Sequence, residues 1–370
     1  MKTIFSPGPS YYDENVRQNA GWWHILELYK NGLEELGFKL FIPCVPPSLI
    51  DATTTVSKIT SYDLVAASQS PLDADLFIGP PGYSLAQIMR LKGRPSSSIV
   101  VAKEGRLHPK TKVVTWVWNN ADWWRDHQLA DEYAKFGLPY DRSPTWRWIN
   151  KTALELSDHV VACSPFVKKT HAKVVPADRI SIAFWGVDSQ KFTPAQSEQD
   201  GFRILFVGSD PIRKGLFYLI EAFRRMEGAE LWVVGAQITV DLPNVKVFGM
   251  LPHEQMPGIF RQCHVQVQST LEDGISLVVQ EGMAAGVPCI GSDDVAEVFE
   301  DGVSGIRVSC RDIDGIYKAL TMLKEFPEIR RKMGREARLL AEKQTWEQTK
   351  KDFKEIITRV VEGGSLPFES

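Results

Sequence analysis

Short runs rich in β-branched and apolar residues alternate with longer stretches of helical period along almost the whole chain. In the first half these runs predict strands at Thr3–Phe5, Lys39–Pro43, Leu76–Ile78, Ile99–Val101, Lys112–Val117, His159–Ala162 and Ile180–Ala183. Between them the pattern predicts helices at Trp22–Leu36, Ser84–Lys92 and Trp146–Leu156. In the first helix Ile25, Leu26, Leu28, Leu33 and Leu36 recur on one face, while Lys30, Glu34 and Glu35 fall outward. The segment TPAQSEQDG, Thr193–Gly201, has no apolar period and reads as a linker. A second series follows it: strand Arg203–Val207, helix Leu216–Met226 and strand Glu230–Val234. Further strands are predicted at Val245–Phe248, Val265–Gln268, Val287–Ile290 and Gly305–Val308, a helix at Leu277–Ala285, and a charged helical tail from Pro327 towards Val361. Such alternation predicts α/β architecture with parallel sheets, whose ligands sit outside the carboxyl ends of the strands.

At 370 residues the chain exceeds what one ordinary core supports, so two domains are expected. A net charge of −3 argues against general nucleic-acid binding, and the first 190 residues carry only a slight positive excess. The five cysteines are widely spaced with no CxxC pair, which suggests buried thiols in a reducing compartment rather than a zinc site or a disulfide framework. The opening residues lack the apolar core of a signal peptide, and no apolar run approaches a membrane span. The expected location is therefore the cytoplasm.

Candidate chemistry gathers at two strand ends. STLEDGISLVVQEGMAAG, Ser269–Gly286, follows the strand Val265–Gln268. Gly274 lets the backbone approach a ligand, Ser276 stands at the N-cap position of the next helix, and the free N–H groups of that helix start suit a phosphate. Glu281, about one turn in, can accept hydrogen bonds from vicinal hydroxyls, with Asp273 on the other side of the phosphate position. Taken by themselves, the two acids equally suit the positive end of a helix dipole. VGSDPIRKG, Val207–Gly215, also follows a strand and opens a helix, but lacks the GK[ST] ending of a Walker A loop. Its cations are Arg213 and Lys214. Nine of the eleven tryptophans lie before residue 190, and flat rings with one polar edge suit stacking on sugar faces.

EDGISLVVQEGMAAGVPCI resembles the donor-site signature of family-4 retaining glycosyltransferases, the glycogen synthase and glycosyl transferases group 1 superfamily, E/D-G-F-G-L-V-x-x-E-A-M-A-x-G-x-P-V. Asp273 stands eight residues before Glu281, as that pattern requires, whereas Glu272 is one residue too far. Ile275 and Ser276 replace the family phenylalanine and second glycine. VGSDPIRKG resembles the family turn V-G-R-x-x-x-x-K-G: Lys214 matches its lysine, and Ser209 replaces its arginine, for which Arg213 is the candidate substitute. Asp293 and Asp294 stand near the position of a family Gly-Gly and are expected in an exposed turn rather than in a metal site.

The resemblance implies a GT-B fold, two Rossmann-like doubly wound domains facing each other across a cleft. Residues 1–192 would bind acceptor, residues 200–345 nucleotide sugar, and residues 346–370 would form a helix crossing back to the first domain. It implies hexosyl transfer with retention from a nucleoside diphosphate sugar to a carbohydrate or lipid-linked acceptor, with no metal and no cofactor. Asp273, Lys214 and Glu281 would be the catalytic set, and Gly208, Ser209, Arg213, Gly249, Met250, Leu251, Gly274, Ile275, Ser276, Leu277 and Val278 would complete the donor site. Gly21, Trp22, Trp118, Asn119, Asn120 and Trp123 would form the acceptor site, Trp118 standing where relatives carry a histidine. A peripheral contact of the first domain with the inner face of a membrane is compatible with its charge. A nucleotide-sugar epimerase on the same fold, or a non-catalytic nucleotide-sugar binder, are the competing readings.

Overall fold

All the strand pairings among the described residues are parallel, so each chain return must cross over the sheet. A computed structural model describes residues 1–7, 23–43, 62–63, 66–67, 69–71, 73–81, 84–91, 111–140, 144–197 and 199–363. The predicted strand at Ile99–Val101, together with Gly21, Trp22 and Cys44, lies outside the described residues.

In chain order the first elements are β1 (Lys2–Phe5), α1 (Trp23–Glu35), β2 (Lys39–Phe41), β3 (Leu76–Gly79), α2 (Leu85–Leu91) and β4 (Lys112–Val117). Then come α3 (Asp122–Lys135), α4 (Pro144–Leu156), β5 (His159–Ala162), α5 (Pro165–His171) and β6 (Ile180–Ile182). The second series is β7 (Arg203–Gly208), α6 (Leu216–Phe223), β8 (Glu230–Gly235), β9 (Val245–Gly249), α7 (Met256–Phe260) and β10 (Val265–Gln268). It ends with α8 (Leu277–Ala284), β11 (Cys289–Gly291), β12 (Gly305–Arg307), α9 (Ile313–Glu325), α10 (Pro327–Ala341) and α11 (Trp346–Glu362).

The chain divides into two compact units. The first comprises Met1–Trp118, Asp141–Phe184 and Thr349–Ser370. Its sheet has the order β2-β1-β3-β4-β5-β6, all parallel. Ile4, Phe77 and Val113 of the sheet pack with Ile88 of α2 and with Ile149 and Ala153 of α4. On α11, Phe353 stacks on Tyr29 of α1 with ring centroids 4.0 Å apart, and Lys350 and Lys354 both pair with Glu35. Trp116 is 2% exposed and packs against Phe5 and Tyr29, so this ring belongs to the core.

The second unit comprises Asn119–Tyr140 and Trp185–Gln348, with the strand order β12-β11-β10-β7-β8-β9. Its core lies between the sheet and helices α6 and α9: Ile204, Phe206, Leu231, Val233, Val265 and Val267 meet Leu216, Leu219, Phe223, Leu320 and Leu323. Cys263 and Cys289 are buried free thiols here, as Cys163 is in the first unit, whereas Cys310 is half-buried.

The sequence expectation of an unbroken first domain to residue 192 differs from this division, because Asn119–Tyr140 falls in the second unit. The cause is polar. Glu132 of α3, 2% exposed, accepts hydrogen bonds from Tyr218 Oη at 2.5 Å and Arg311 Nε at 2.8 Å. Arg311 also donates to the carbonyl of Gln128 at 2.7 Å and to its side-chain oxygen at 3.0 Å. Burial opposes the charge of Glu132, but these donors and Lys135 outweigh it and lower its pKa. Arg311 is the one non-glycine residue with positive φ among those described (φ 69°), a conformation costing about 1–2 kcal/mol that its hydrogen bonds offset.

Phe353→Ala removes a fully buried ring from the first unit and is expected to cost about 3–5 kcal/mol in urea unfolding. A loss below about 1 kcal/mol would show that the α1–α11 stack does not support that unit.

Candidate functional site

In the second sheet the direction of winding reverses between β7 and β10, and a doubly wound sheet opens a crevice at such a reversal. Both motif-bearing segments leave the sheet there. The turn after β7 runs Ser209–Gly215 into α6, and the loop after β10 runs Ser269–Ser276 into α8.

These segments are stitched together by their backbones. Leu271 N donates to Arg213 O at 2.8 Å, and Thr270 Oγ1 donates to the same carbonyl at 3.0 Å. Ser269 Oγ donates to Gly215 O at 3.2 Å. Gly215 has φ 70°, and a Cβ there would lie 2.0 Å from Ser269 O, so only glycine permits this contact.

Charge concentrates on the stitched edge. Lys214 Nζ donates to Asp273 Oδ2. Arg213 lies 3.8 Å from Asp273, 3.7 Å from Glu272 and 3.7 Å from Asp210, and donates to Glu272 O at 3.0 Å. Glu272 is fully buried and also lies 3.5 Å from Arg125 of α3. Burial disfavours the guanidinium of Arg213, but Asp273, Glu272 and Asp210 outweigh it and raise its pKa. For Lys214 burial dominates, with Arg213 acting in the same direction, so its pKa is lowered despite Asp273. An incoming dianion would add the negative charge that this buried ammonium lacks.

Asp294, expected in an exposed turn, is 6% exposed. It accepts hydrogen bonds from Asn120 Nδ2 at 3.2 Å, Trp124 Nε1 at 3.2 Å and the backbone N–H of Asp273 at 3.3 Å. Burial, with Glu272 and Asp273 nearby, pushes its carboxyl up to about 8 against the pull of its donors. Asp293 beside it is the exposed one, 3.7 Å from Arg307. Among the described residues no cluster of three or more His, Cys, Asp or Glu side chains could hold a metal ion.

The structure brings Gly208, Arg213, Lys214, Asp273 and Gly274 to this edge, with Ser209 exposed in the turn. Ile275 and Ser276 are buried, and Leu277 and Val278 open α8 half-buried. Ser276 occupies the N-cap position but makes no side-chain cap hydrogen bond. Glu281 of α8 accepts from His253 Nε2 at 2.7 Å. Gly249 ends β9, two strands from β7, followed by Met250, 67% exposed, and half-buried Leu251.

The expected acceptor residues divide. Trp118 belongs to the first unit, and Asn119, Asn120 and Trp123 to the second. Asn120 is buried, and its amide donates to the carbonyl of Asp273 at 2.6 Å as well as to Asp294, so it holds the acidic loop. Arg125 and His253 were not singled out from sequence, because neither lies at a spacing that joins it to the motifs it touches.

Paired cations and acids thus stand at the switch point of a doubly wound sheet, the place where ligands of such sheets bind. Residues 201–339 match the family described as glycosyl transferases group 1. A glycosyltransferase of Methanocaldococcus jannaschii is 22% identical over 213 residues, covering 55% of this chain and 60% of that protein's length. Sucrose-phosphate synthase from Thermosynechococcus elongatus superposes with a TM-score of 0.77 at 16% identity, covering 98% of this chain and 100% of that one. Anabaena HepE, solved with UDP and glucose, gives 0.66 at 13% identity over 97% of this chain and 99% of its own. The two parallel sheets with flanking helices are those of the GT-B glycosyltransferases.

Asp294 keeps a proton in the folded state that the unfolded chain releases near pH 4, so its contribution to stability falls as pH rises from about 4 through about 8. Urea midpoints of wild type and Asp294→Asn at pH 5 and pH 8 are expected to diverge, with wild type losing more stability at the higher pH. The opposite sign would contradict the buried environment of this carboxyl.

Proposed function

We propose that the chain is a retaining glycosyltransferase that moves a hexosyl unit from a nucleoside diphosphate sugar to a carbohydrate or lipid-linked acceptor. The observation that carries this reading is the Lys214–Asp273 pair at the switch point, next to the start of α8. The donor diphosphate takes over Lys214 and the free N–H groups at that helix start. Asp273, released from Lys214, then accepts hydrogen bonds from the hydroxyls of the transferred sugar. Glu281 accepts from the ribose hydroxyls. Charge builds on the diphosphate as the glycosidic bond breaks, and Lys214 with Arg213 stabilises it.

HepE was solved with UDP and glucose, which supports a uracil nucleotide as the first donor to try. The reaction needs neither metal nor cofactor in this reading. The acceptor meets the first unit, where Trp118 supplies an aromatic face. The setting is the cytoplasm, with contact at the inner face of a membrane if the acceptor is lipid-linked. No helix among the described residues is long and apolar enough to cross a membrane.

Turnover with a panel of UDP-, GDP- and ADP-sugars tests the proposal, and NMR of the first product reads its anomeric configuration. Lys214→Ala is expected to lower kcat by about 10²–10³. Glu281→Ala is expected to lower kcat/KM by roughly 10–100-fold with the fold intact. Wild-type turnover in the Glu281 variant, or an inverted product, would contradict the reading.

A further inference from the structure

Glu281 does not stand alone. One of its oxygens, Oε1, accepts from His253 Nε2 at 2.7 Å, and the other ring nitrogen, Nδ1, lies 3.0 Å from Lys191 Nζ. Among the described residues no side chain or backbone group donates to Oε2 of Glu281. The three residues come from three places in the second unit: Lys191 from the segment before β7, His253 from the turn before α7, and Glu281 from α8.

The chemistry of the two ends fixes the middle. An ammonium has three donors and no acceptor, so Nδ1 of His253 must offer its lone pair to Lys191. The ring proton therefore sits on Nε2, and it is donated to the carboxylate. The imidazole thus bridges Lys191 and Glu281, and the contact with Lys191 sets its tautomer.

Lys191 is itself held in place. Asp188 Oδ1 accepts from the backbone N–H groups of Gln190 at 3.0 Å and Lys191 at 2.9 Å, winding this segment into a tight turn. Arg338 of α10 donates to the carbonyls of Ser189, Phe192 and Ala284 at 2.8, 2.7 and 2.6 Å, tying that turn to the end of α8. Phe192, 1% exposed, packs beside the His253 ring at 5.5 Å. The backbone that carries Lys191 is thus tied to α8 and α10.

We infer that His253 is a positioning residue, which with Lys191 fixes Oε1 of Glu281 so that Oε2 faces a ribose diol and makes the protein selective for ribonucleotides. This inference rests on the proposed role of Glu281. A glutamate free to rotate would share its acceptor capacity among water and several rotamers, and would lose that entropy on meeting the ligand. Held by one oxygen, it presents the other already oriented. Lys191 acts at one remove, by keeping the proton on the nitrogen that faces the carboxylate.

The experiment is calorimetric, with kinetics as a cross-check. Among UDP, GDP and ADP, the one that binds wild type most tightly is compared with its 2′,3′-dideoxy analogue. Wild type is expected to prefer the ribonucleotide by at least about tenfold, the loss of one well-placed hydrogen bond to a charged acceptor. In His253→Phe, which keeps the ring volume and removes the donor, affinity for the ribonucleotide falls about tenfold while affinity for the dideoxy analogue is unchanged. His253→Gln, whose amide can still donate to Glu281, recovers most of the preference, and Lys191→Met gives an intermediate loss. In turnover the His253→Phe change appears in the donor KM rather than in kcat. Equal losses for both nucleotides in His253→Phe would mark a merely structural role and overturn the inference, as would an unchanged preference. If no nucleoside diphosphate binds wild type, the donor-site reading falls and this inference falls with it. If wild type binds and discriminates but His253→Phe does so equally well, only the inference fails.

Discussion

The second unit is organised around an ionic seam between the turn after β7 and the loop after β10. Glu272 is the constraint that makes the seam necessary. It is fully buried, neither of its carboxylate oxygens has a hydrogen bond among the described residues, and Arg125 and Arg213 lie 3.5 and 3.7 Å from it. A buried carboxylate without such partners costs several kcal/mol, so the two guanidinium groups are obliged to come to it. Arg213 brings the β7 turn, Arg125 brings α3, and Lys214 and Asp273 follow because each is covalently next to a member of the pair. The acid that looked redundant beside Asp273 is therefore the one that assembles the cations around it.

Placing α3 in this unit follows from the same logic. The helix offers almost no apolar stripe: only Leu129 and Glu132 are buried along its length. It is held by polar contacts at both ends, Glu132 with Tyr218 and Arg311 towards its carboxyl end, Trp124 and Arg125 towards its start. Asn120 just before it supports the backbone of Asp273. Asp294, kept neutral by burial beside two carboxylates, accepts from Asn120, Trp124 and the Asp273 N–H without adding another charge to the seam. A segment distant in sequence thus sets the shape of the acidic loop.

Legibility in the sequence divides along that line. Strands such as Lys112–Val117, His159–Ala162 and Val265–Gln268 appear in the structure with the same bounds, because buried parallel strands write themselves as continuous apolar runs. The loop–helix junctions at Lys214 and Asp273–Glu281 were also visible, since glycines and charges sit at fixed offsets from strand ends. Helix α3 was not predicted, because its burial is by a glutamate and its periodicity is polar. The relay of Lys191 and His253 to Glu281 was equally hidden, as no local rule connects positions so far apart. Asp294 was misplaced for a related reason: an Asp-Asp pair has the composition of an exposed turn, and only the sheet shows that one member faces inward.

Thermal unfolding with added nucleotides tests the central claim, that the seam at the β7–β10 crevice is a nucleoside diphosphate sugar site. At about one hundred times its Kd a ligand specific for the folded state adds about 2.7 kcal/mol, which is several degrees in Tm. The account predicts such a shift with a nucleoside diphosphate sugar for wild type, and loss of most of it in Lys214→Ala. An equal shift in the two proteins, or none with any nucleoside diphosphate or its sugars, would contradict it.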